Sequence, residues 1–297
     1  MTDILVVGSV NLDMSASVSR LPAPGETVTG AKLQRFPGGK GANQALAARR
    51  LGADVSLIAC VGDDATAEEA LALLKRDGVD LSHLIVDDNE PTGVALISVA
   101  ESGENCIVVA PGANARLSLN EVTIPAADAL ICQLEVPGTA IATAAAAFDG
   151  LFCINLAPAR DIDSAIIERA DVVVVNETES EWYGERLSLC QGVVVRTYGK
   201  DGAEIYQHNE IVAATNAPTV DAIDTTGAGD TFTAALVVAL AENMSHLDAL
   251  RFACAAGSLA TTKRGAQPSL PLRADVESLL ADSAVGEETV ADQGDSA

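Results

Sequence analysis

Short apolar runs rich in Val and Ile alternate along the chain with Ala- and Leu-rich stretches of helical length, from residue 1 to about residue 280. This alternation is typical of successive β–α–β units, in which helices cover a mostly parallel sheet. We therefore expect one α/β domain over residues 1–282. The strand candidates are ILVVG, DVSLIAC, ALICQL, LFCINL, DVVVVN and GVVVRT, and the helix candidates include GANQALAARRLG, ATAEEALALLKRDG and AGDTFTAALVVALAENM.

Two stretches interrupt this alternation. Residues 12–36 are rich in Pro, Gly and Thr, and residues 92–110 read TGVALISVAESGENCIVVA, a pattern typical of two strands joined by a Ser-Gly turn. We expect both stretches to form one small β layer added to the main sheet. Such a layer suits a lid over a cleft, although an oligomerisation surface would have the same sequence pattern.

The chain is strongly acidic, with 18 Lys and Arg against 42 Asp and Glu and a formal net charge of −24. This excess of negative charge argues against sequence-independent binding to nucleic acid and against binding to an anionic membrane. We expect residues 283–297 to form an acidic, disordered tail. The acids at this end of the chain are Asp282, Glu287, Glu288, Asp292 and Asp295.

The six cysteines form no CxxC pair, and most lie within apolar runs such as SLIAC and LFCIN. We expect buried, reduced thiols rather than a zinc site or a disulfide framework. The segment MTDILVVGSVNLD has no basic leader and predicts a first strand rather than a signal peptide. No apolar segment approaches the roughly 20 residues that a membrane-spanning helix needs, so we expect a cytoplasmic protein.

The strongest local signal for chemistry is DTTGAGD, residues 224–230, which runs directly into an apolar helix. Its two glycines allow a tight turn, and the N–H groups at the helix start would point at an anion. Asp230 lies at the same helix start, where it would suit a base that accepts the proton of a substrate hydroxyl. The alternative is that Asp230 only caps the helix and that Gly227 and Gly229 only form a turn.

A second glycine-rich segment, FPGGKGANQ at residues 36–44, also opens a helix. It is not a Walker A loop, because Lys40 is followed by Gly41 and no Ser or Thr is placed to hold magnesium. Its glycines would let a ligand approach the backbone, and Lys40 and Asn43 could donate hydrogen bonds to hydroxyl groups. The alternative is a glycine turn with a solvated lysine.

Short polar side chains also follow several predicted strands. Asn11 and Asp13 come after the first strand, and alternation aims both side chains the same way if the chain stays extended. A dinucleotide site is not indicated there because GxGxxG is absent, and an Asx turn is the alternative. Gln133 and Glu135 follow an apolar run in ALICQLEVP, and Asn176 and Glu179 follow another in DVVVVNETES, where NETE locally favours a helix cap.

In chain order these motifs closely resemble the ribokinase-like (pfkB) family of carbohydrate kinases. The resemblance rests on NLD, GGKGANQA, GENCIVVAPGAN, QLE, NLAPAR, NETE, DTTGAGDTF and KRGAQPS, and it runs from about residue 4 to about residue 280. It implies a three-layer α/β/α fold with a mostly parallel central sheet and a small β lid. GGKGANQA, GENCIVV and KRGAQPS narrow the resemblance to family members that phosphorylate ribose.

The resemblance also implies a role for each matching position. The sugar hydroxyls would be held by Asn11, Asp13, Gly39, Lys40, Asn43, Glu135 and Asp230. Asp230 would be the catalytic base, with the developing phosphoryl charge stabilised by the backbone of Gly227, Ala228 and Gly229. The nucleotide with its magnesium would lie near Asn176, Glu179, Thr197, Gly199, Gly202 and Gly229. An activating potassium ion would be held by Asp224, Thr226, Ala260, Gly265 and Ser269.

The implied reaction is transfer of a phosphoryl group from MgATP to O5 of D-ribose, giving ribose 5-phosphate and ADP. The implied assembly is a homodimer formed through the lid. Alternatives are a kinase for another sugar or a nucleoside, and a non-catalytic sugar-binding regulator. The chain departs from the family pattern in the short segment ESEWYGERLSLCQ and at Cys254, where relatives often carry Asn or His near the adenine.

Overall fold

The computed structural model describes residues 1–282 with their side chains and continues as backbone to Ala291, the end of the last helix. The predicted domain boundary at residue 282 therefore lies within that helix. The disordered acidic tail predicted over residues 283–297 lies outside the residues described with side chains and stays a prediction.

Short strands and helices alternate through the whole described chain. The strands are β1 (Asp3–Val7), β2 (Asn11–Val18), β3 (Lys32–Gly38), β4 (Asp54–Ile58), β5 (Cys60–Gly62), β6 (Ile85–Asp87), β7 (Gly93–Ala100), β8 (Asn105–Ala110), β9 (Ala129–Gln133), β10 (Leu151–Asn155), β11 (Val172–Asn176), β12 (Val193–Thr197), β13 (Ala203–Gln207) and β14 (Glu210–Thr215). The helices are α1 (Lys40–Arg50), α2 (Ala65–Ala70), α3 (Ala72–Asp77), α4 (Gly138–Ala147), α5 (Ser164–Arg169), α6 (Glu177–Tyr183), α7 (Ala228–Ala241), α8 (His246–Ala260), α9 (Ala266–Ser269) and α10 (Arg273–Ala291). Among these helices none is both long enough and apolar enough to cross a membrane.

The main sheet has eight strands in the order β14-β13-β12-β11-β10-β9-β1-β4. It is parallel from β4 to β12, and β13 runs antiparallel to β12 and β14. Successive side chains of its strands enter different cores: Ile4 and Val6 pack with α1, α7 and α8, whereas Leu5 and Val7 pack with α4 and α5. The predicted three-layer α/β/α fold is confirmed, because a parallel sheet buried on both faces needs a helical layer on each.

The two interrupting stretches form a separate four-stranded sheet in the order β3-β2-β7-β8, called the small sheet below. Its strands come from distant segments, since β2 pairs in parallel with β7. The β7–β8 hairpin turns at Gly103, whose φ of 87° lies in the left-handed region that favours glycine.

Two predicted elements are divided. The run DVSLIAC contributes β4 to the main sheet and then enters β5, which pairs with β6 in a separate two-stranded sheet. The stretch ATAEEALALLKRDG forms two helices, α2 and α3, which are separated at Leu71. The buried thiols are confirmed for five of the cysteines, whereas Cys106 on β8 is exposed.

The chain crosses the main sheet in two directions. It goes from β1 to β4 on one side and later from β9 to β12 on the other, so the order reverses beside β1. Ligands in open α/β sheets bind in the crevice outside the carboxyl ends of the strands at such a reversal. The segments that follow β1 and β9 carry Asn11 and Glu135, two of the predicted sugar-binding residues.

Replacing Phe152 with Ala should lower the free energy of unfolding by about 3–5 kcal/mol. Phe152 on β10 is fully buried between the sheet and its helical layer, so truncation leaves a cavity. Ile211→Ala on β14 is the control, because Ile211 is 55% exposed and its loss should stay below about 1 kcal/mol. Urea unfolding of the two variants checks this, and equal losses would contradict it.

Candidate active site

The reversal point of the sheet is tied together by Glu135, directly after β9. Its Oε2 accepts a hydrogen bond from the Ser9 hydroxyl at 2.5 Å and another from the backbone N–H of Lys40 at 3.1 Å. The Ser9 hydroxyl oxygen in turn accepts from the N–H of Gly41 at 3.3 Å. One carboxylate thus joins the end of β1, the end of β9 and the start of α1.

The start of α1 lies against the backbone of the segment between β1 and β2. Gly39 has a φ of 88°, and a Cβ there would approach the backbone nitrogen of Asn11 to 2.6 Å. Only glycine fits both the conformation and the space. The predicted residues Gly39, Lys40 and Asn11 are therefore brought together by backbone packing.

Asn11 is buried, and its orientation is fixed by Asn114 in the turn Gly112–Arg116 after β8. The Nδ2 of Asn114 donates to the Oδ1 of Asn11 at 2.8 Å, and the Asn114 amide also bonds both backbone groups of Val10. The amide oxygen of Asn11 is thus occupied, which leaves its amide nitrogen as the end that can donate to a ligand.

Asp230 lies in the first turn of α7 and is 6% exposed. Its Oδ2 accepts from the Nδ2 of Asn43 at 2.9 Å, and its Oδ1 accepts from the Nε2 of Gln44 at 3.1 Å. Burial raises the pKa of Asp230, against the opposing effect of the Lys40 charge and the two amide donors. The carboxylate is therefore held in one orientation and made more basic than an exposed aspartate.

Four carboxylates surround Lys40, which is half-buried. Burial alone would lower the pKa of Lys40, but the charges of these acids outweigh it and raise the pKa. The acids are Asp230, Glu135, Glu179 and Asp13. Lys40 is thus the shared counter-ion of the predicted sugar residues and the predicted base.

Asp13 on β2 is also buried, with 8% of its surface exposed. Burial, and then the charges of Glu135 and Asp230, raise its pKa from 3.8 to about 7, although Lys40 opposes the shift. Its carboxylate lies over Gly38, where a Cβ would approach Asp13 Oδ2 to 2.3 Å. Asp13 is therefore poised to change charge near neutral pH.

The loop before α7 has the conformation of an anion-binding turn. Gly227 has a φ of 81° and directly precedes the helix. In the described part of the chain the N–H groups of Gly227 and Gly229 show no hydrogen-bond partner, whereas the N–H of Ala228 donates to Thr225 O at 3.2 Å. Of the three predicted anion-binding residues, Gly227 and Gly229 have the N–H groups that can reach a ligand without breaking this turn.

The predicted potassium residues come from the loop before α7 and from the segment between the end of α8 and the end of α9, and the two segments meet beside this turn. Asp224 accepts from the N–H and the hydroxyl of Thr226 at 3.0 and 2.6 Å, and from the N–H of Gly265 at 2.9 Å. Burial opposes ionisation of Asp224, but these donors outweigh it and lower its pKa. Ala260 ends α8 next to Thr261, whose carbonyl accepts from the N–H of Asp224 at 3.0 Å. The Ser269 hydroxyl donates to Ala266 O at 2.7 Å.

The predicted nucleotide residues follow β11 and β12. Asn176 and Glu179 form a reciprocal capping box at the start of α6, with both hydrogen bonds at 2.8 Å, so the cap that the local sequence favours is confirmed. Thr197 lies opposite Asn176 in the strand register. Gly199 and Gly202, with φ of 56° and 103°, form the connection from β12 to β13.

The short segment ESEWYGERLSLCQ contains most of α6 and a six-residue 3₁₀ helix, Gly184–Leu189. Cys254 is buried within α8, where burial raises the pKa of its thiol to about 12. This position therefore presents a neutral thiol in place of a polar amide or imidazole.

A cavity of about 1180 Å³ separates one face of the small sheet from the loops before α7 and α9. Asp13, Ser15 and Ile97 line it from the small sheet. Asp224 and Thr226 line it from the opposite side. One predicted sugar residue, Asp13, and the predicted cation residues Asp224, Thr226 and Gly265 therefore open on the same cavity.

A buried carboxylate beside free backbone N–H groups suits transfer of a group from an anionic donor to a hydroxyl. The model of the pfkB family of carbohydrate kinases matches residues 1–273. The chain belongs to this family. The family resemblance inferred from the sequence motifs is therefore confirmed.

Similar proteins found by sequence and similar solved structures include several ribokinases. A ribokinase of Haemophilus influenzae is 37% identical, and the match covers 93% of this chain and 98% of the relative. The solved ribokinase of Thermotoga maritima superposes with a TM-score of 0.86 at 32% identity, covering 95% of this chain and all of that one. The ribokinase of Arabidopsis thaliana, solved with ribose and ATP, gives a TM-score of 0.82 at 30% identity over 94% of this chain and 98% of that one.

Several polar residues that shape the site have no role that the sequence motifs predict. Ser9, Gln44, Gln133 and Asn114 contact predicted site residues or each other without a motif that marks them by itself. Each lies within or next to a quoted motif: GSVNLD, GGKGANQA, QLE and APGAN. A polar side chain at the end of an apolar strand is the signal that could have found Gln133.

Replacing Asp13 with Asn should stabilise the ligand-free kinase in a pH-dependent manner. Because the folded-state pKa is raised, wild type loses stability as pH rises from about 4 through 7, and the neutral amide avoids this loss. The gain in free energy of unfolding should be near zero at pH 4 and about 3–4 kcal/mol at pH 8. Urea unfolding without sugar checks the prediction, and a gain independent of pH would contradict it.

Proposed function

We propose that this kinase transfers the γ-phosphoryl group of ATP to O5 of D-ribose, giving ribose 5-phosphate and ADP. The observation that carries the proposal is the buried carboxylate of Asp230 beside the N–H groups of Gly227 and Gly229. An acid placed at an anion-binding turn suits a base for the attacking hydroxyl more than a phosphate ligand. The ribokinases that match over nearly the whole chain support ribose as the acceptor.

In the proposed reaction the sugar hydroxyl attacks the γ-phosphorus in line with the departing ADP. Its proton passes to Asp230 while the bond between the γ-phosphorus and the bridging oxygen breaks. Lys40 and the N–H groups of Gly227 and Gly229 would stabilise the charge on the transferring group. The raised pKa of Asp230 suits this role, since it brings the acid nearer to the pH of the reaction.

The sugar would bind between the start of α1 and the small sheet. Asn43 supports this placement: its buried Oδ1 has no partner in the described chain, although its Nδ2 bonds Asp230. A sugar hydroxyl would satisfy that acceptor. The other residues proposed to hold hydroxyls are Asn11, Asp13, Gly39, Lys40, Glu135 and Asp230.

The nucleotide would lie along the ends of β11 and β12. Magnesium, which would come with ATP, neutralises phosphate charge and so offsets repulsion from an acidic chain. The residues proposed to lie near the nucleotide and its magnesium-bound phosphates are Asn176, Glu179, Thr197, Gly199, Gly202 and Gly229.

Potassium would act on the turn that precedes α7. The residues of these two segments suit potassium because they offer a carboxylate, hydroxyls and backbone carbonyls, which are the oxygen ligands that hard cations prefer. The ion would be held by Asp224, Thr226, Ala260, Gly265 and Ser269. Binding there would set the loop that carries Gly227 without contacting the sugar.

The small sheet would serve as both lid and dimer interface. It exposes several large apolar side chains, which a partner copy would cover. These are Leu33, Leu96, Ile107, Val108 and Val109, each at least 46% exposed. Closure over the sugar would exclude water, a competing acceptor of the phosphoryl group. The cytoplasmic location stays a prediction from the sequence.

A kinase for a larger acceptor, such as a nucleoside, is the second candidate. The half-open cavity of about 1180 Å³ beside Asp13 supports it, because this space has room for an acceptor larger than a pentose. A binding protein without activity is disfavoured, since Asp230 and its two glycines are retained.

Coupled ADP release should therefore be fastest with ribose when MgATP and potassium are present. The acceptors to compare are ribose, deoxyribose, fructose, 2-keto-3-deoxygluconate and a few nucleosides, with a reaction lacking acceptor as the control. Replacing potassium by a large organic cation should lower the rate without abolishing ribose binding. Faster turnover of another acceptor would identify that acceptor as the substrate in place of ribose. No turnover with any acceptor would contradict the proposed kinase activity.

Asp230→Asn should lower kcat with ribose by about 10³-fold or more, because the amide cannot take the proton. Ribose affinity, measured by calorimetry, should change less than about threefold, since the amide keeps the size of the side chain. Gln191→Asn, an exposed change far from the site, is the control for handling and folding. Undiminished turnover would remove Asp230 from the mechanism.

A further inference from the structure

Gln44 is fully buried directly behind the proposed base and uses both ends of its amide. Its Nε2 donates to Asp230 Oδ1 at 3.1 Å and to Asn155 Oδ1 at 3.2 Å. Its Oε1 accepts from the Nε2 of Gln133 at 2.6 Å. The side chain thus joins α1 to α7 and to the ends of β9 and β10.

The direction of this amide follows from its neighbours. An ionised carboxylate only accepts hydrogen bonds, so the nitrogen of Gln44 is the end that must face Asp230. Gln133 reinforces this choice, because its own nitrogen donates to the oxygen of Gln44. The space for Gln133 depends on Gly8, where a Cβ would lie 2.0 Å from Gln133 Oε1.

Gln44 has no direct role in the proposed reaction, because Asp230 and Asn155 occupy its donor end. We propose that Gln44 is a positioning residue that holds the Asp230 carboxylate in the orientation needed to accept the proton of the attacking hydroxyl. Gln133 in turn sets the orientation of the Gln44 amide. The inference rests on the proposed function, in which Asp230 takes the proton of the sugar. With Asn43 on Oδ2 and Gln44 on Oδ1, the carboxylate is held on both oxygens by α1.

The charged groups around Asp230 come from several elements. Lys40 lies at the start of α1, Asp13 on β2, Glu135 after β9 and Glu179 on α6. These charges remain when Gln44 is changed, so a change in the titration of Asp230 would report the lost amide donor.

The test compares wild type with Gln44→Met, which keeps the side-chain length and removes the donor. We expect kcat with ribose to fall about 10- to 100-fold, while KM for ribose changes less than about threefold. The acid limb of the kcat profile should move up by about one to two pH units, because the donor that favours the ionised carboxylate is gone.

Gln133→Met is the second variant, which leaves Gln44 in place but removes the group that orients it. It should give a smaller change in the same direction in both kcat and the acid limb. Gln191→Met is the control, because Gln191 is exposed and its amide bonds only locally to Leu189 O in the described chain. A purely structural role for Gln44 would lower the thermal midpoint without moving the acid limb.

A readout without turnover separates this inference from the proposed function. The carboxyl carbon of Asp230 can be titrated by NMR in ligand-free protein, with Asp230→Asn identifying its signal. An upward shift of the titration in Gln44→Met supports the positioning contact, even if wild type phosphorylates nothing and the proposed function fails. An active wild type whose kcat profile and titration are both unchanged by Gln44→Met would overturn the inference alone.

Discussion

The buried charge of Asp230 is the constraint around which the site is built. A carboxylate removed from water needs hydrogen-bond donors and an opposite charge. Here α1 supplies two amides and Lys40, and α7 supplies the acid itself, so two helices must pack in one register. Gly39 before α1 lets the chain lie against the segment that follows β1, and Gly227 before α7 lets it lie against Ala266 of α9.

The excess of acids around Lys40 makes the ligand-free site electrostatically costly. Burial and like charge raise the pKa values of Asp13 and Asp230, so these acids weaken the empty protein while they prepare it for hydroxyl groups. Stability given up at a binding site for chemistry is a common trade-off. Hydroxyl donors from a sugar would relieve part of this cost, which links acceptor binding to the charge state of the pocket.

The small sheet explains how segments far apart in sequence act on one substrate. β2 carries Asn11 and Asp13 from the first strand region, and its parallel pairing with β7 brings the later hairpin over the same cavity. The turn after β8 then returns Asn114 to fix Asn11. A change in the register of this sheet would therefore displace both the strands that cover the cavity and the side chains proposed to bind the sugar.

The sequence by itself determined the α/β class, most strand positions and the motifs that gather at the strand ends, because burial on both faces imposes long apolar runs and turns require glycine. It did not determine that DVSLIAC is divided between two sheets, because an apolar run does not specify which strand it will pair with. It also left Ser9, Gln44, Gln133 and Asn114 without roles. Their hydrogen bonds join residues as much as 186 positions apart in the sequence, and only tertiary packing decides such contacts.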